Sequence, residues 1–476
     1  MKHRIFSIAL LQMLIWNPGN GCLADNLTDK ELQETDLETV STGRSNNENT
    51  TRKWSLQECI DYALENNIQI KKNKATEEQE AIGLKENKAA LLPSLSFSMN
   101  QSLSYRPLQE TTSNLVANGI ASSSSNKLTE NGSYGLNASW TVWDGGANLK
   151  NIKVQELNQQ MAALTTETSQ NSIQEQIVQL YIQILYSEEA LKVNDSLCAT
   201  AQKQYDRGIV MTEEGLMSQA ELAQLKSQLS SSQYDVVNTR TIVAGYKLQL
   251  KQLLELNNGE AFDIQPLEVT DEAVLELIPT TAEVYQAALQ QRPEIKNKQL
   301  EIEAADLNIS IARAGYSPSL SLNAAISDSH YSASQMNVGQ QMKENLNGTV
   351  GLSLSIPIFD NRRNKSAVEK AKVARLTSEL DLQEEQKNLY STIENYWLQA
   401  TSNQQKYLAP KAKSASMASS YTLLNEQFEN GLKNIVELLT GRDDLLSAEQ
   451  ERLQSKYTTL LNIQMLQFYK GEKMNM

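Results

Sequence analysis

The chain has 476 residues, 40% apolar and only 6% aromatic, with 57 acidic against 43 basic side chains and a net charge of −14. An acidic chain without a basic tract is ill suited to hold nucleic acid by its phosphates, and with His3 and His330 as its two histidines it has no material for His-based triads or multi-histidine metal sites. Cys22, Cys59 and Cys198 fit neither a metal-ligand spacing nor a disulfide framework, while nine prolines and 20 glycines leave room for long helices.

Residues 1–24 begin with Lys2 and Arg4 and continue as an apolar run from Ile5 to Trp16 broken only by Ser7 and Gln12. A membrane-spanning helix needs about 20 apolar residues, so this shorter run reads as an export signal. Two processing outcomes fit: cleavage after Ala24 with Cys22 near the cut, or lipidation of Cys22, before which Gly19, Asn20 and Gly21 stand in place of a leucine-led lipobox. Residues 25–53 offer Leu27, Leu32, Leu37 and Val40 amid Asn, Thr, Glu and Ser, too little to offset the entropy of ordering, and read as a flexible polar tail. No later segment has roughly 18 consecutive apolar residues, so any membrane crossing falls to strands.

From residue 54 the chain contains one unit twice. Ala63–Lys71 matches Ala288–Lys296, and Pro93–Ser96 matches Pro318–Ser321, both 225 residues on. Val142–Asp144 falls on Ile358–Asp360 at an offset of 216, and Tyr205–Gly208 on Phe428–Gly431 at 223. Ordered matches with nearly constant spacing mark a duplication, with copies at 54–256 and 280–470 joined by a linker over 257–279.

Each copy opens with short helices. In the first copy Ser55 and Glu58 form a predicted capping box, and Pro93 ends the second helix near Leu92. A β-hairpin follows at 94–143, where Leu95, Phe97, Met99, Leu103 and Tyr105 alternate with Ser and Asn, and the return strand alternates through Tyr134, Leu136, Ala138, Trp140 and Val142. The second hairpin, 318–358, repeats the pattern in Leu320, Leu322, Ala324 and Ile326 and in Val350, Leu352, Leu354, Ile356 and Ile358. A soluble sheet would also alternate. Strands of about 12 residues instead suit an inclined bilayer crossing, and a face of small neutral polar residues suits a wet lumen. Four strands cannot close a barrel, and an open edge in lipid leaves backbone groups unpaired, so several chains are expected to build it.

Long helices complete each copy, expected at 147–205 and 212–256 and again at 361–428 and 434–470. Between Gly146 and Gly208 there is no Gly or Pro, enough for a helix on the order of 90 Å. A heptad seam runs through Leu222, Leu225, Leu229, Ser232, Val236, Thr239, Val243, Tyr246, Leu250 and Leu253, the signature of an antiparallel coiled coil. Gln, Asn, Ser and Thr predominate on the remaining faces, as in the wall of a water-filled tube.

These paired motifs resemble the TolC-like outer-membrane factor family over residues 54 to about 470: the Ala89–Leu95 and Tyr316–Leu320 helix-to-strand turns, the Trp143–Gly146 and Phe359–Arg362 strand-to-helix turns, and the Tyr-x-x-Gly and Phe-x-x-Gly helix ends. The resemblance implies an α+β membrane protein with four long transmembrane strands and a helical tunnel segment per chain. It further implies a homotrimer whose barrel closes only on assembly in outer-membrane lipid, with the tunnel in the periplasm meeting a periplasmic adaptor (membrane fusion) protein and an inner-membrane pump. Its function would be the channel of a tripartite efflux or type I secretion system, without enzymatic activity, cofactor or metal. The competing readings are a secreted or surface coiled-coil adhesin, which leaves the strands unexplained, and an envelope enzyme, disfavoured because His330 reads as a loop residue with no nucleophile beside it.

By the same resemblance Phe428 stands at the periplasmic gate in place of a tyrosine and Lys433 in place of an arginine. Glu437 and Glu214 stand where aspartates narrow the mouth, and Thr440 replaces a second acid. Phe428 lacks a hydroxyl and Lys433 a planar fork, so the implied latch is looser, and a plain solvated helix end is the other reading of these charges. Turns are expected at Asp206–Val210 and Asn430–Asn434, which makes Arg207, Gly208, Ile209, Gly431 and Leu432 candidate adaptor contacts. Asp144 and Asp360 are expected to cap the helices that follow the strands.

Overall fold

The computed structural model describes residues 53–107, 113–116, 119–122, 128–257, 261–267, 270–332 and 336–472. The expected export signal and the polar tail up to residue 52 lie outside these residues.

A short strand β1 (Lys53–Trp54) precedes α1 (Leu56–Asn66) and α2 (Ile68–Ala89). Ser55 caps α1 through its hydroxyl, which accepts from the Glu58 N–H at 3.2 Å, while the Glu58 carboxylate accepts from the Ser55 N–H at 2.9 Å. Asn67 separates the two helices by capping the second, its side-chain oxygen accepting from Gln69 at 2.8 Å. Then come β2 (Ser94–Tyr105), the small hairpin β3 (Ser113–Val116) and β4 (Gly119–Ser122), and β5 (Leu128–Trp143). The helices α3 (Ala147–Glu213) and α4 (Gln219–Leu253) complete the first copy. The linker is not featureless: β6 (Asp263–Ile264) pairs in parallel with β1, and α5 (Asp271–Val274) follows. The second copy comprises α6 (Thr281–Gln291), α7 (Pro293–Ala314), β7 (Ser319–Tyr331), α8 (Val338–Glu344), β8 (Asn347–Ser355), α9 (Arg363–Glu429) and α10 (Ile435–Lys470).

The long strands form one antiparallel sheet in the order β2-β5-β7-β8. Its register stacks like on like: Phe97 opposes Leu136, which opposes Ile326, and Trp140 opposes Leu322, which opposes Leu352. On the other face Ser98 opposes Gly135, which opposes Ser327, and the Ser139 hydroxyl donates to the Asn323 side chain at 3.1 Å. The apolar face is bare: Leu95, Phe97, Leu103, Val350, Leu352 and Leu354 are all exposed. Among the described residues nothing pairs with the outer edges of β2 or β8. The upper edge of β7, beyond the reach of β8, is covered by side chains instead. Gln341 accepts from the Tyr331 N–H at 2.8 Å and donates to its carbonyl at 3.1 Å, and Asn345 donates to the Ser329 carbonyl at 2.6 Å.

Two expectations for this sheet are corrected. The last strand stops at Ser355 rather than running to Ile358, because Pro357 has no N–H to give the ladder. His330 lies in β7, not in a loop, and is buried with its ring stacked on Tyr134 at 5.9 Å between centroids.

Both α3 and α9 have 67 residues, about 100 Å at 1.5 Å per residue. Among the described residues no helix is long and apolar enough to cross a membrane. The heptad seam is the inward face: Leu225, Leu229, Ser232, Val236, Val243 and Leu250 are buried. Three apolar clusters hold the helices together. The largest gathers Trp54, Cys59, Ile60, Ile177, Tyr181, Leu250 and Leu460 around α1, and a second joins α6 and α7 to α9 and α10 through Val284, Ile295, Ile393 and Ile463. The third, with Leu197, Leu225, Tyr421, Phe428, Ile435 and Leu438, lies near the helical turns.

The first helical turn comes one heptad later than expected. Helix α3 continues to Glu213 and α4 starts at Gln219, so Arg207, Gly208 and Ile209 are helical and Gly208 is buried. The two turn glycines are Gly215 and Gly431, 216 residues apart, the same spacing as Ala147 and Arg363 at the helix starts. The Tyr205–Phe428 match at 223 is therefore a slip of seven residues, which a heptad seam tolerates because it repeats with that period. Gly208 has a different task, a close helix approach. A Cβ there would lie 2.7 Å from Leu225 Cδ1, and in the second copy the partners are exchanged, a Cβ on Gly441 lying 2.6 Å from Leu424 Cδ1.

Candidate functional site: the paired helical turns

Both long helices end alike. At the end of α3 the Leu216 N–H donates to the Met211 carbonyl at 2.8 Å and the Gly215 N–H to Thr212 at 3.1 Å; at the end of α9 Leu432 donates to Gln427 at 2.9 Å and Gly431 to Phe428 at 2.9 Å. This pair of hydrogen bonds needs a left-handed residue, and Gly215 and Gly431 supply it with φ of 71° and 70°. A capping box starts each return helix: Ser218 with Glu221 for α4 and Asn434 with Glu437 for α10. Each turn thus presents a leucine, Leu216 at 70% and Leu432 at 74% exposure.

A cleft of about 530 Å³ separates the turns, lined by Met211, Met217, Glu221, Phe428, Lys433 and Glu437 among others. Of the four expected gate residues, Phe428, Lys433 and Glu437 meet here and Glu214 does not; it sits exposed at the end of α3. The acid equivalent to Glu437 is Glu221, missed in the sequence although Ser218-x-x-Glu221 is a legible capping box. Phe428 is buried in the third apolar cluster and acts as core there. Lys433 Nζ, in the turn just before α10, contacts Glu437 Oε1 in the first turn of that helix at 2.9 Å and does not reach the first hairpin. That ammonium, followed by the Asn434 N–H, holds the Glu437 carboxyl below its ordinary value. Glu221 is held low by the Ser218 N–H and then the Ser218 hydroxyl.

The contacts that do join the hairpins lie away from the tips. Arg207 Nη2 donates to the Glu429 carbonyl at 2.8 Å, satisfying a free carbonyl at the end of α9. Gln204 Nε2 donates to Asn425 Oδ1 at 2.5 Å and to the Tyr421 hydroxyl at 3.2 Å. At the opposite ends of the long helices Asp144 Oδ2 accepts from the Asn148 N–H and Asp360 Oδ2 from the Asn364 N–H, both at 2.8 Å. The residues between keep positive φ in both copies, Gly145 and Gly146 in one and Asn361 and Arg362 in the other. For the non-glycine pair that conformation costs roughly 1–2 kcal/mol per residue, offset in part by the aspartate cap. Among the described residues no group of three or more His, Cys, Asp or Glu side chains is placed to hold a metal ion.

A sheet with a bare apolar face whose strands run into paired coiled coils of this length is the architecture of a trans-envelope channel. The fold matches the crystal structure of CusC with a TM-score of 0.72 at 19% identity, over 88% of this chain and 92% of that one. It matches the Campylobacter jejuni CmeC outer membrane channel with a TM-score of 0.71 at 18% identity, over 94% and 95%. The outer membrane efflux protein family model matches residues 59–255 and 284–472, and the chain belongs to that family. It is 22% identical to the cation efflux system protein CusC of Escherichia coli K12 over 339 residues, 69% of this chain and 70% of the relative. It is also 22% identical to the outer membrane protein TolC of Escherichia coli K12 over 418 residues, 86% of this chain and 80% of the relative. The protein is an outer-membrane channel component of an efflux or secretion system, its helical tunnel in the periplasm, in a family of channels rather than enzymes.

Proposed function

We propose that the protein is a passive homotrimeric duct in which three copies of the sheet close one barrel in outer-membrane lipid and three pairs of helical hairpins line one tunnel. The observation that carries this is the sheet itself: two open edges and an exposed apolar face, which in one chain would leave backbone groups unpaired in lipid. Joining β8 of one copy to β2 of the next removes every edge. The Ser, Asn, Thr and Gly face then lines a wet lumen, and the apolar face meets acyl chains. An adhesin gives neither face a partner.

The helical turns are the adaptor-facing end. In place of Gly208 and Ile209, the residues presented are Leu216 and Leu432, each following a left-handed glycine, so a trimer would offer six near-identical turns to a periplasmic adaptor that links it to an inner-membrane pump. Phe428, Lys433 and Glu437 shape the mouth as packing, charge and cap. The pump and adaptor choose the substrate, whether small solute or secreted protein, and no nucleic acid or cofactor takes part. The test is assembly and conductance of the full chain purified in detergent. Light scattering should give three chains per particle, and planar bilayers should show a water-filled pore; a monomer without conductance would sink the proposal.

A further inference from the structure

The gate expected from the sequence rests on Lys433, which contacts only its own helix turn, whereas an arginine two turns deeper does what Lys433 does not. Arg442 of α10 is 6% exposed, a charge buried between the hairpins. Its Nη2 donates to Ser232 Oγ of α4 at 3.1 Å and lies 3.7 Å from Asp235 Oδ2 of the same helix, while Nη1 contacts the neighbouring Asp443 at 2.9 Å. With the Gln228 amide turned oxygen-inward, its Oε1 lies 2.6 Å from Nη1, 2.9 Å from Nε and 3.1 Å from Nη2. The guanidinium fork thus meets Gln228, Ser232 and Asp235, three side chains of the first hairpin on successive turns of α4, besides Asp443 on its own helix.

The duplication supplies an internal control. The position equivalent to Arg442 at the spacing of 216 is Lys226, which is exposed, and the equivalents of Gln228, Ser232 and Asp235 are Asp444, Ala448 and Glu451. Repetition of the unit does not require a buried cation here; only the face that the second hairpin turns to the first carries one. A charge withdrawn from water is tolerated when its donors are met, and separating the hairpins would strand it unless water entered.

We propose that Arg442 is the tether that holds the second helical hairpin against the first, so that swinging the mouth open requires its release from Gln228, Ser232 and Asp235. Lys433 and Glu437 then stiffen the start of α10 and do not lock it. The geometry stands on this chain alone; the consequence for opening rests on the duct reading.

Full-length protein in detergent is compared as wild type, Arg442→Gln, Arg442→Lys and Asp235→Asn, by amide hydrogen exchange over residues 435–446 with residues 281–291 as reference, and by single-channel conductance. Arg442→Gln should speed exchange over 435–446 by about tenfold and leave the reference unchanged, with Arg442→Lys intermediate because the ammonium keeps the charge and loses the fork. Conductance should rise at least about twofold in Arg442→Gln, as expected when a closed population is destabilised. Should Arg442→Gln not accumulate, Asp235→Asn, which removes a half-exposed partner, should still speed exchange by about two- to threefold. Exchange over 435–446 equal to wild type in the variants that fold overturns the tether. Absence of any pore in wild type instead sinks the duct reading, and the exchange comparison still decides the tether.

Discussion

Replacing Gly208 with leucine should destabilise the first helical hairpin, and replacing Leu225 with glycine in the same chain should restore it. A Cβ on Gly208 would already lie 2.7 Å from Leu225 Cδ1 and 3.3 Å from Leu222 Cδ1, and Leu225 is 1% exposed, so its side chain has nowhere to retreat. Gly208→Ala gains about 1 kcal/mol of helix propensity against about 1–3 kcal/mol of overpacking, for a net cost of roughly 0–2 kcal/mol. Gly208→Leu adds more atoms to the same space and should cost about 3 kcal/mol or more. Leu225→Gly alone opens a cavity worth about 2–5 kcal/mol and places a glycine in a helix interior for about 1 kcal/mol more. The double variant recreates the arrangement already present at Leu424 and Gly441, where the glycine is on the other helix. It should lose no more than about 2 kcal/mol, a coupling well beyond that of independent sites. Hydrogen exchange over residues 200–230 of the detergent-solubilised protein reports the local opening free energy. Losses in the double variant equal to the sum of the two single variants would refute complementary packing.

Phe97→Arg and Leu354→Arg place a charge on the bare face of the sheet and should each cost about 2–4 kcal/mol near the bilayer centre, read as loss of assembled protein in outer-membrane fractions; normal assembly of both counts against lipid contact. Glu221 and Glu437 have carboxyl pKa values below the ordinary Glu value in the folded state, so the stability that they add to the starts of α4 and α10 is present at and above that value and is lost as pH falls through their lowered values. Exchange over 219–224 and 435–440 should therefore quicken only in acid below the ordinary Glu range, and helix starts that quicken between pH 7 and 6 would contradict the assignment. Burial, with Glu58 beside it, pushes the Cys59 thiol up to about 12, so thiol reagents at pH 8 should leave it unmodified until the fold opens; rapid labelling in the native protein would place it outside the core. Crosslinkers at Leu216 and Leu432 should capture a periplasmic adaptor, and those at Ile209 should do so poorly; equal capture from Ile209 would restore a tip one heptad back.

Several features follow from residues a few positions apart. The strand faces come from strict alternation, and the starts of α1, α4 and α10 from capping boxes whose two members lie three residues apart. The left-handed turns before α3 and α9 were likewise marked by an aspartate and its following pair, Asp144 and Asp360. Such local chemistry is complete within one turn of chain, so it can be read without knowing what lies opposite.

What the tertiary structure alone decided concerns which surfaces meet. The first helical turn could slide from Gly215 to Gly208 because a seven-residue shift leaves a heptad seam unchanged, and the left-handed backbone of Gly215 together with the fit of Gly208 against Leu225 removes the ambiguity. Lys433 and Arg442 are basic residues nine positions apart around the start of α10, yet one lies in the exposed turn before the helix and the other is buried against Gln228, Ser232 and Asp235. Arg207 reads as a tip residue until the end of α9 comes within reach of its guanidinium. Burial of a charge is set by the packing angle between two helical hairpins more than 200 residues apart in the chain, and no periodicity within either hairpin encodes that angle.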